Sequence, residues 1–262
     1  METTSPQDFA ELWRTYVAQP YCQRLLTKAT DTPVAISALV DRFQSRFQGT
    51  YLAGLWKEDL CRELLWLSEP GRPSSFFAPS WSWMSLELPH AIYFDSTHIL
   101  DVEETLVYNV QTKVTPLTTN FYGPVSSGTI RLTGILISAT LEAGPSLEYP
   151  WEGAKLSTLR HDISSARPYI DTCIVRVDVL LMNGTEESTT RRAVGHEQSS
   201  GGPYPVTFLP IFINDRGVTG LLLGRSATCV GAYERIGMFW GLGESEFETI
   251  RKDYTVCDVT LV

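Results

Sequence analysis

The hydrophobic period changes once along this chain, and the change limits the architectures open to it. The first 70 or so residues carry helical spacing. Ser5-Pro6 reads as a helix start, a hydroxyl cap before a proline in the first turn. Phe9, Leu12, Trp13, Tyr16 and Val17 follow at i, i+3, i+4, i+7 and i+8, an apolar stripe along one face, which Pro20 is expected to end. Asp31 or Thr32 caps a second helix with Pro33 in its first turn and Ile36, Leu39, Val40 and Phe43 as its stripe; Gly49 closes it or sits just beyond. A third helix is expected over residues 55–67, with Leu60, Leu64 and Leu67 on one side and Pro70-Gly71-Arg72-Pro73 as the stop.

After Pro79 the period becomes two. Leu106, Tyr108 and Val110 alternate with polar residues, and so does the run Cys173, Val175, Val177, Val179 and Leu181. Further strands are expected over 129–137 (relaxed by Gly134), 206–213, 218–223, 230–239 and 255–262. Gly123-Pro124, Gly144-Pro145, Asn183-Gly184, Gly201-Gly202-Pro203 and Asp215-Arg216-Gly217 supply the turns, and 185–205 reads as a polar loop. The expectation is an α+β protein. A short helical part (1–75) packs on an antiparallel β-sandwich or distorted β-barrel (76–262), the two forming one compact unit.

Composition narrows the partners. The net charge of −9, with no Lys/Arg run longer than Arg191-Arg192, argues against nucleic acid and against an anionic membrane surface. The N-terminus has neither the basic nor the apolar region of a signal peptide, and no apolar run approaches a membrane span. The five cysteines (22, 61, 173, 229 and 257) are scattered, without a CxxC, so reduced, buried thiols in a cytoplasmic protein are expected, not a disulfide framework or zinc site. Asn183-Gly184-Thr185, a formal glycosylation sequon, is then more simply a turn. No metal and no cofactor are expected. A chain this long buries enough surface to fold without either.

Several segments resemble a known family. Trp13-x3-Val17-x3-Tyr21-x2-Arg24-x-Leu26-Thr27-x3-Asp31 is followed by Ala35-Ile36-Ser37. Tyr51-Leu52-Ala53-Gly54-Leu55-Trp56-Lys57, Leu64-Leu65-Trp66 and Ala78-Pro79-Ser80-Trp81-Ser82-Trp83 come next. Gly220-Leu221-Leu222-Leu223, Tyr233-Glu234-Arg235-Ile236-Gly237-Met238-Phe239 and Val259-Thr260-Leu261-Val262 complete the set. Together they resemble the region that follows the signalling domain in fungal heterokaryon-incompatibility (HET) proteins, from about residue 10 to the end. Ser37-Ala38 departs from the family's usual step to glycine. The resemblance implies a C-terminal module without the HET domain, so that domain's signalling role does not carry over.

The candidate site residues each have a plainer reading beside the functional one. On a helix, Trp56 and Trp66, ten apart, would lie within about 80° of each other and serve as core anchors. Trp81 and Trp83, two apart in an expected extended stretch, face the same side; they pack on the sheet or wall a pocket for an apolar ligand. The four histidines (90, 98, 161 and 196) share no metal spacing, although His98 could pair with Asp95 as acid and base. Glu103-Glu104 face opposite sides of a strand and make no dyad. Arg235 either forms a structural ion pair or, facing a cavity, donates hydrogen bonds to a substrate oxygen. Ser80 does not fit a nucleophile elbow, and Gly241-Leu242-Gly243 lacks the context of a dinucleotide fingerprint.

Two functions fit this motif-free, aromatic-rich chain. One is a cofactor-free cyclase or pericyclase of fungal secondary metabolism, such as a hetero-Diels–Alderase joining a terpene to a quinone-methide-like partner. It needs only shape and a few donors: Trp81 and Trp83 wall an apolar substrate, and Arg235, His98 or Tyr108 polarises a carbonyl. The other is a non-enzymatic recognition module derived from incompatibility proteins. An enclosed pocket favours the first and an exposed apolar surface the second. A metal-dependent or covalent hydrolase is the weakest of the classes.

Overall fold

The structure, a computed structural model, describes residues 5–24, 31–47, 49–68, 78–86, 92–94, 102–142, 155–158, 174–177 and 204–262. Helix α1 (Pro6–Trp13) starts with a capping box, Asp8 N–H donating to Ser5 Oγ at 3.1 Å and Ser5 N–H to Asp8 Oδ2 at 2.9 Å. It widens into a π turn (Arg14–Ala18) and continues as α2 (Gln19–Cys22). Pro20 does not end this rod. It falls in the first turn of α2, just after the π turn has reset the hydrogen-bond ladder. Helix α3 (Thr32–Phe47) lies where Pro33 and its stripe place it. Phe9 stacks on Phe47 at 5.1 Å, and Trp13 meets Phe43 edge-on at 5.3 Å, so α3 runs antiparallel to α1.

The expected third helix is instead a hairpin followed by short pieces. Strands β1 (Tyr51–Leu52) and β2 (Leu55–Trp56) pair Leu52 with Leu55 across a two-residue loop. Both loop residues have positive φ, 45° at Ala53 and 101° at Gly54, as a type I′ turn requires. A 3-10 turn (Lys57–Asp59), α4 (Leu60–Glu63) and β3 (Trp66–Ser68) follow, and β3 pairs with β4 (Ile92–Phe94). Trp56 and Trp66 therefore sit on two strands, not on one helix, and both are fully buried.

The remaining strands are β5 (Val102–Thr105), β6 (Tyr108–Pro116), β7 (Val125–Ile135), β8 (Ile137–Glu142), β9 (Lys155–Thr158), β10 (Ile174–Val177), β11 (Tyr204–Asn214), β12 (Gly217–Arg225), β13 (Tyr233–Leu242) and β14 (Val256–Leu261). They form one sheet, ordered β6-β7-β14-β13-β12-β11-β8-β9, with β5 on β11 and β10 on β13. Pairing is antiparallel except for a single parallel bridge between Tyr233 on β13 and Leu261 on β14. That bridge follows from the crossover helix α5 (Glu244–Arg251) between the two strands. The α+β expectation holds. Among the described residues β6 and β9 do not pair, so the sheet is open and not a closed barrel.

Each face of the sheet carries its own apolar layer. Leu209, Leu221, Leu223 and Met238 join Trp13, Trp56, Trp66, Trp81 and Trp83 under the helical segment. Phe208, Leu222 and Phe239 face the other way, against Phe247 and Ile250 of α5. A bulge at Ile236 resets the alternation of β13, so that Tyr233, Arg235 and Met238 all reach the helical side. The first layer spans the expected boundary near residue 75, giving the helices and the sheet a shared core.

The β1–β2 turn is the point where these parts meet. Gly54 O accepts the indole N–H of Trp13 at 2.9 Å and of Trp83 at 3.1 Å, and Ala53 O accepts the Ser82 hydroxyl. A Cβ at Gly54 would lie 3.0 Å from Met84 Sδ and from the Trp83 ring, on a backbone at φ 101°. Gly54→Ala is expected to cost about 2–4 kcal/mol in urea unfolding, combining left-handed strain with overpacking. A loss below about 1 kcal/mol would show that the turn has room to spare.

Candidate functional site

The residues singled out in the sequence do not converge on one cavity. His98, with Asp95 and the other three histidines, lies outside the described residues. Trp81 and Trp83 are fully buried and separate from each other. The stretch is not extended: Ser82 caps a 3-10 turn (Trp83–Ser85) by accepting from Met84 N–H at 3.0 Å. Trp81 packs toward Gly128 on β7, while Trp83 points to Gly54 and lies edge-on to Tyr21 at 6.4 Å. The two indoles are parts of the core, on different neighbours, and do not form a shared wall.

Arg235 is also internal. Its Nε donates to Leu64 O at 3.0 Å, its Nη2 donates to Trp66 O, and its guanidinium lies 3.6 Å over the Trp66 ring. Arg235 N–H donates to Ser80 Oγ at 2.9 Å, and that hydroxyl donates to Val262 O. The oxygens served by this arginine are carbonyls of its own chain. It clasps β13 to the β3 segment through hydrogen bonds and a cation–π contact. Tyr108, half exposed at the start of β6, is the one accessible residue of the expected catalytic set among those described.

An open cleft of about 560 Å³ lies on the strands β6, β7 and β14, its lining on β6 beginning at Asn109, the residue after Tyr108. Its polar rim includes Asn109, Gln111, Arg131, Thr133 and Asp258. Thr133 is the link, donating to Asp258 Oδ1 at 3.0 Å and accepting from Asn109 Nδ2 at 3.4 Å. Asn109 holds φ 54° at an irregularity in the β6–β7 pairing.

A second, apolar groove of about 650 Å³ runs between α1 and α3, lined by Phe9, Leu12, Arg42, Phe43, Ser45 and Arg46. It arises because the apolar stripes are wider than the core they face. Along α1 and the π turn, Ala10, Trp13, Arg14, Val17 and Ala18 face inward, and Leu12 (41%) and Tyr16 (71%) are exposed. On α3, Ile36 and Val40 are buried and Leu39 is 42% exposed.

The strongest buried electrostatics was not expected from the sequence. Arg14 Nη1 bridges Asp59 Oδ2 at 2.8 Å and Glu63 Oε1 at 2.9 Å, and Arg62 holds the other Asp59 oxygen at 3.0 Å. Glu63 is fully buried and its Oε2 has no hydrogen-bond partner among the described residues. Burial, opposed by Arg14, pushes its carboxyl up to about 8. The sequence does hold a signal for this cluster. Arg14 falls 100° from Trp13, inside the buried arc closed by Val17 and Ala18. The four described cysteines are free thiols. Only Cys22 is buried, Cys61 and Cys257 are half-buried and Cys229 is exposed, which corrects the expectation of uniformly buried thiols.

Among the described residues there is no group of three or more metal-binding side chains, and no helix is long and apolar enough to cross a membrane. No protein-family model, curated protein or solved structure matches the chain.

The Glu63 carboxyl takes up a proton on folding between its ordinary value of 4.5 and about 8. The folded state then binds more protons than the unfolded state, so this group's contribution to stability falls as pH rises through that window. Urea unfolding from pH 5 to pH 8 should show wild type losing stability relative to Glu63→Gln, by up to about 1.4 kcal/mol per pH unit. Parallel pH profiles for the two proteins would contradict a protonated Glu63.

Proposed function

We propose that this chain is a non-enzymatic recognition module of the kind its resemblance to heterokaryon-incompatibility proteins implies, and that it works by presenting a surface to a protein partner. One observation carries this reading. Trp81, Trp83 and Arg235, the groups a cofactor-free cyclisation would use, are committed to the core, whereas spare apolar surface lies on the α1–α3 pair. A helix pair with exposed Leu12, Tyr16 and Leu39 has the character of a contact face.

A second reading has one observation in its favour. Asn109, next in sequence to the exposed Tyr108, lines a cleft whose volume suits a small molecule, with Arg131 and Gln111 as donors on its rim. A biosynthetic protein of the hetero-Diels–Alderase type would work there, with Tyr108 rather than Arg235 as the polarising group. The polar rim fits an oxygen-rich ligand better than a terpene.

Titration of the purified chain against a full-length incompatibility protein carrying the HET domain separates the readings. The recognition reading expects association that Tyr16→Asp weakens at least tenfold while leaving the fold intact by circular dichroism. Absence of association, together with Tyr108-dependent turnover of a terpene and quinone-methide pair, would replace it with the second reading.

A further inference from the structure

The geometry points to the partner's chemistry: the α1–α3 groove receives an acidic amphipathic helix. This deepens the recognition reading and rests on it. The floor is apolar, formed by Phe9, Leu12 and Phe43. One wall is basic. Arg42 and Arg46 stand one turn apart on the same face of α3, and neither makes an ion pair among the described residues. That is unusual in a chain of net charge −9, where acidic residues outnumber basic ones 30 to 21. Arg14 and Arg62, by contrast, serve the internal carboxylates of Asp59 and Glu63.

The groove also has the direction and length a helix needs. The pairs Phe9–Phe47 and Trp13–Phe43 fix an antiparallel seam. Helical spacing then continues the apolar edge by one turn on each side, to Tyr16 beyond Leu12 and to Leu39 before Phe43. The α3 segment from Leu39 to Arg46 spans about 10 Å at 1.5 Å per residue, enough to seat two turns. A third helix laid along the seam would complete a three-helix layer, with apolar residues at i, i+3 or i+4 and i+7 on the floor. Its carboxylates would face Arg42 and Arg46, where a bidentate carboxylate–guanidinium pair has the right fork geometry. A basic helix of the same apolar pattern would bring like charges together there.

The test uses two fluorescein-labelled 15-residue helical peptides with the same leucine stripe, one flanked by Glu and one by Lys. Fluorescence anisotropy with the full chain should show the Glu peptide binding about tenfold more tightly, equivalent to about 1.4 kcal/mol. The preference should shrink with added salt. Arg42→Glu with Arg46→Glu should invert the preference. Both sites are on the surface, and unchanged circular dichroism and melting temperature would confirm the fold. Arg42→Ala with Arg46→Ala should abolish the preference without inverting it. Equal binding of the two peptides, or binding of neither, overturns the acidic-helix inference, as does a charge reversal without effect. If Leu12→Asp removes binding of both peptides and the arginine variants change nothing, the groove is an apolar dock: the recognition reading stands and the acidic partner does not.

Discussion

The carbonyl oxygen of Gly54 ties the helical segment and the tryptophan segment to the β1–β2 turn. It can accept from two indoles at once because the β1–β2 loop turns its peptide groups outward into the core. A type I′ turn usually lies in water. Here it is buried, so its carbonyls need donors from elsewhere in the chain. Trp13 supplies one from the first helix and Trp83 a second from beyond β3, while Ser82 serves the neighbouring Ala53. Each donor brings a large apolar ring with it, and the hydrogen bond fixes how that ring sits. Packing density and polar satisfaction are therefore met by the same side chains.

The same pattern recurs at the next layer out. Trp66 N–H donates to Trp81 O at 3.0 Å, and Arg235 lies over the Trp66 ring while donating to the carbonyls of Leu64 and Trp66. Ser80 then joins the start of the tryptophan segment to both β13 and the last residue of the chain. A bulge at Ile236 makes this possible by turning Arg235 inward. The result is a continuous internal polar path from Trp13 to Val262 inside an apolar core. Such a path is costly if any member loses its partner, and it gives the core one arrangement instead of several. The most chemically capable side chains of the central motifs, Arg235 and the indoles of Trp66 and Trp83, thereby hold the fold.

How much of this was legible in the sequence depends on how local each signal is. The starts of α1 and α3 were readable because cap and proline chemistry acts within one turn. The stretch 55–67 misled because Leu60, Leu64 and Leu67 keep helical spacing by coincidence, while the real signal, Ala53-Gly54, is a weak form of the usual Asn-Gly turn. Only Phe247 and Ile250 mark the buried side of α5, too few apolar residues for a helical stripe to stand out in the sequence. Apolar runs bounded by turn residues mark β11, β12, β13 and β14 in the sequence, but the order in which they pair is set by contacts far apart in sequence. The position of Arg14 inside the buried arc is readable from helical spacing, but its partners Asp59 and Glu63, and the pairing of α1 with α3 that forms the groove at Arg42 and Arg46, are contacts far apart in sequence.

Whether Gly54 O is a shared acceptor for two distant indoles is decided by a double-mutant cycle of Trp13→Phe and Trp83→Phe in urea. Either single change leaves the carbonyl one donor. The pair removes both and leaves a buried carbonyl unsatisfied, a penalty of about 1–3 kcal/mol beyond the lost ring contacts. The double variant is therefore expected to lose at least about 1 kcal/mol more than the sum of the single losses. Additivity within about 0.5 kcal/mol would contradict it, and would mean that the two tryptophans act only as independent blocks of apolar surface.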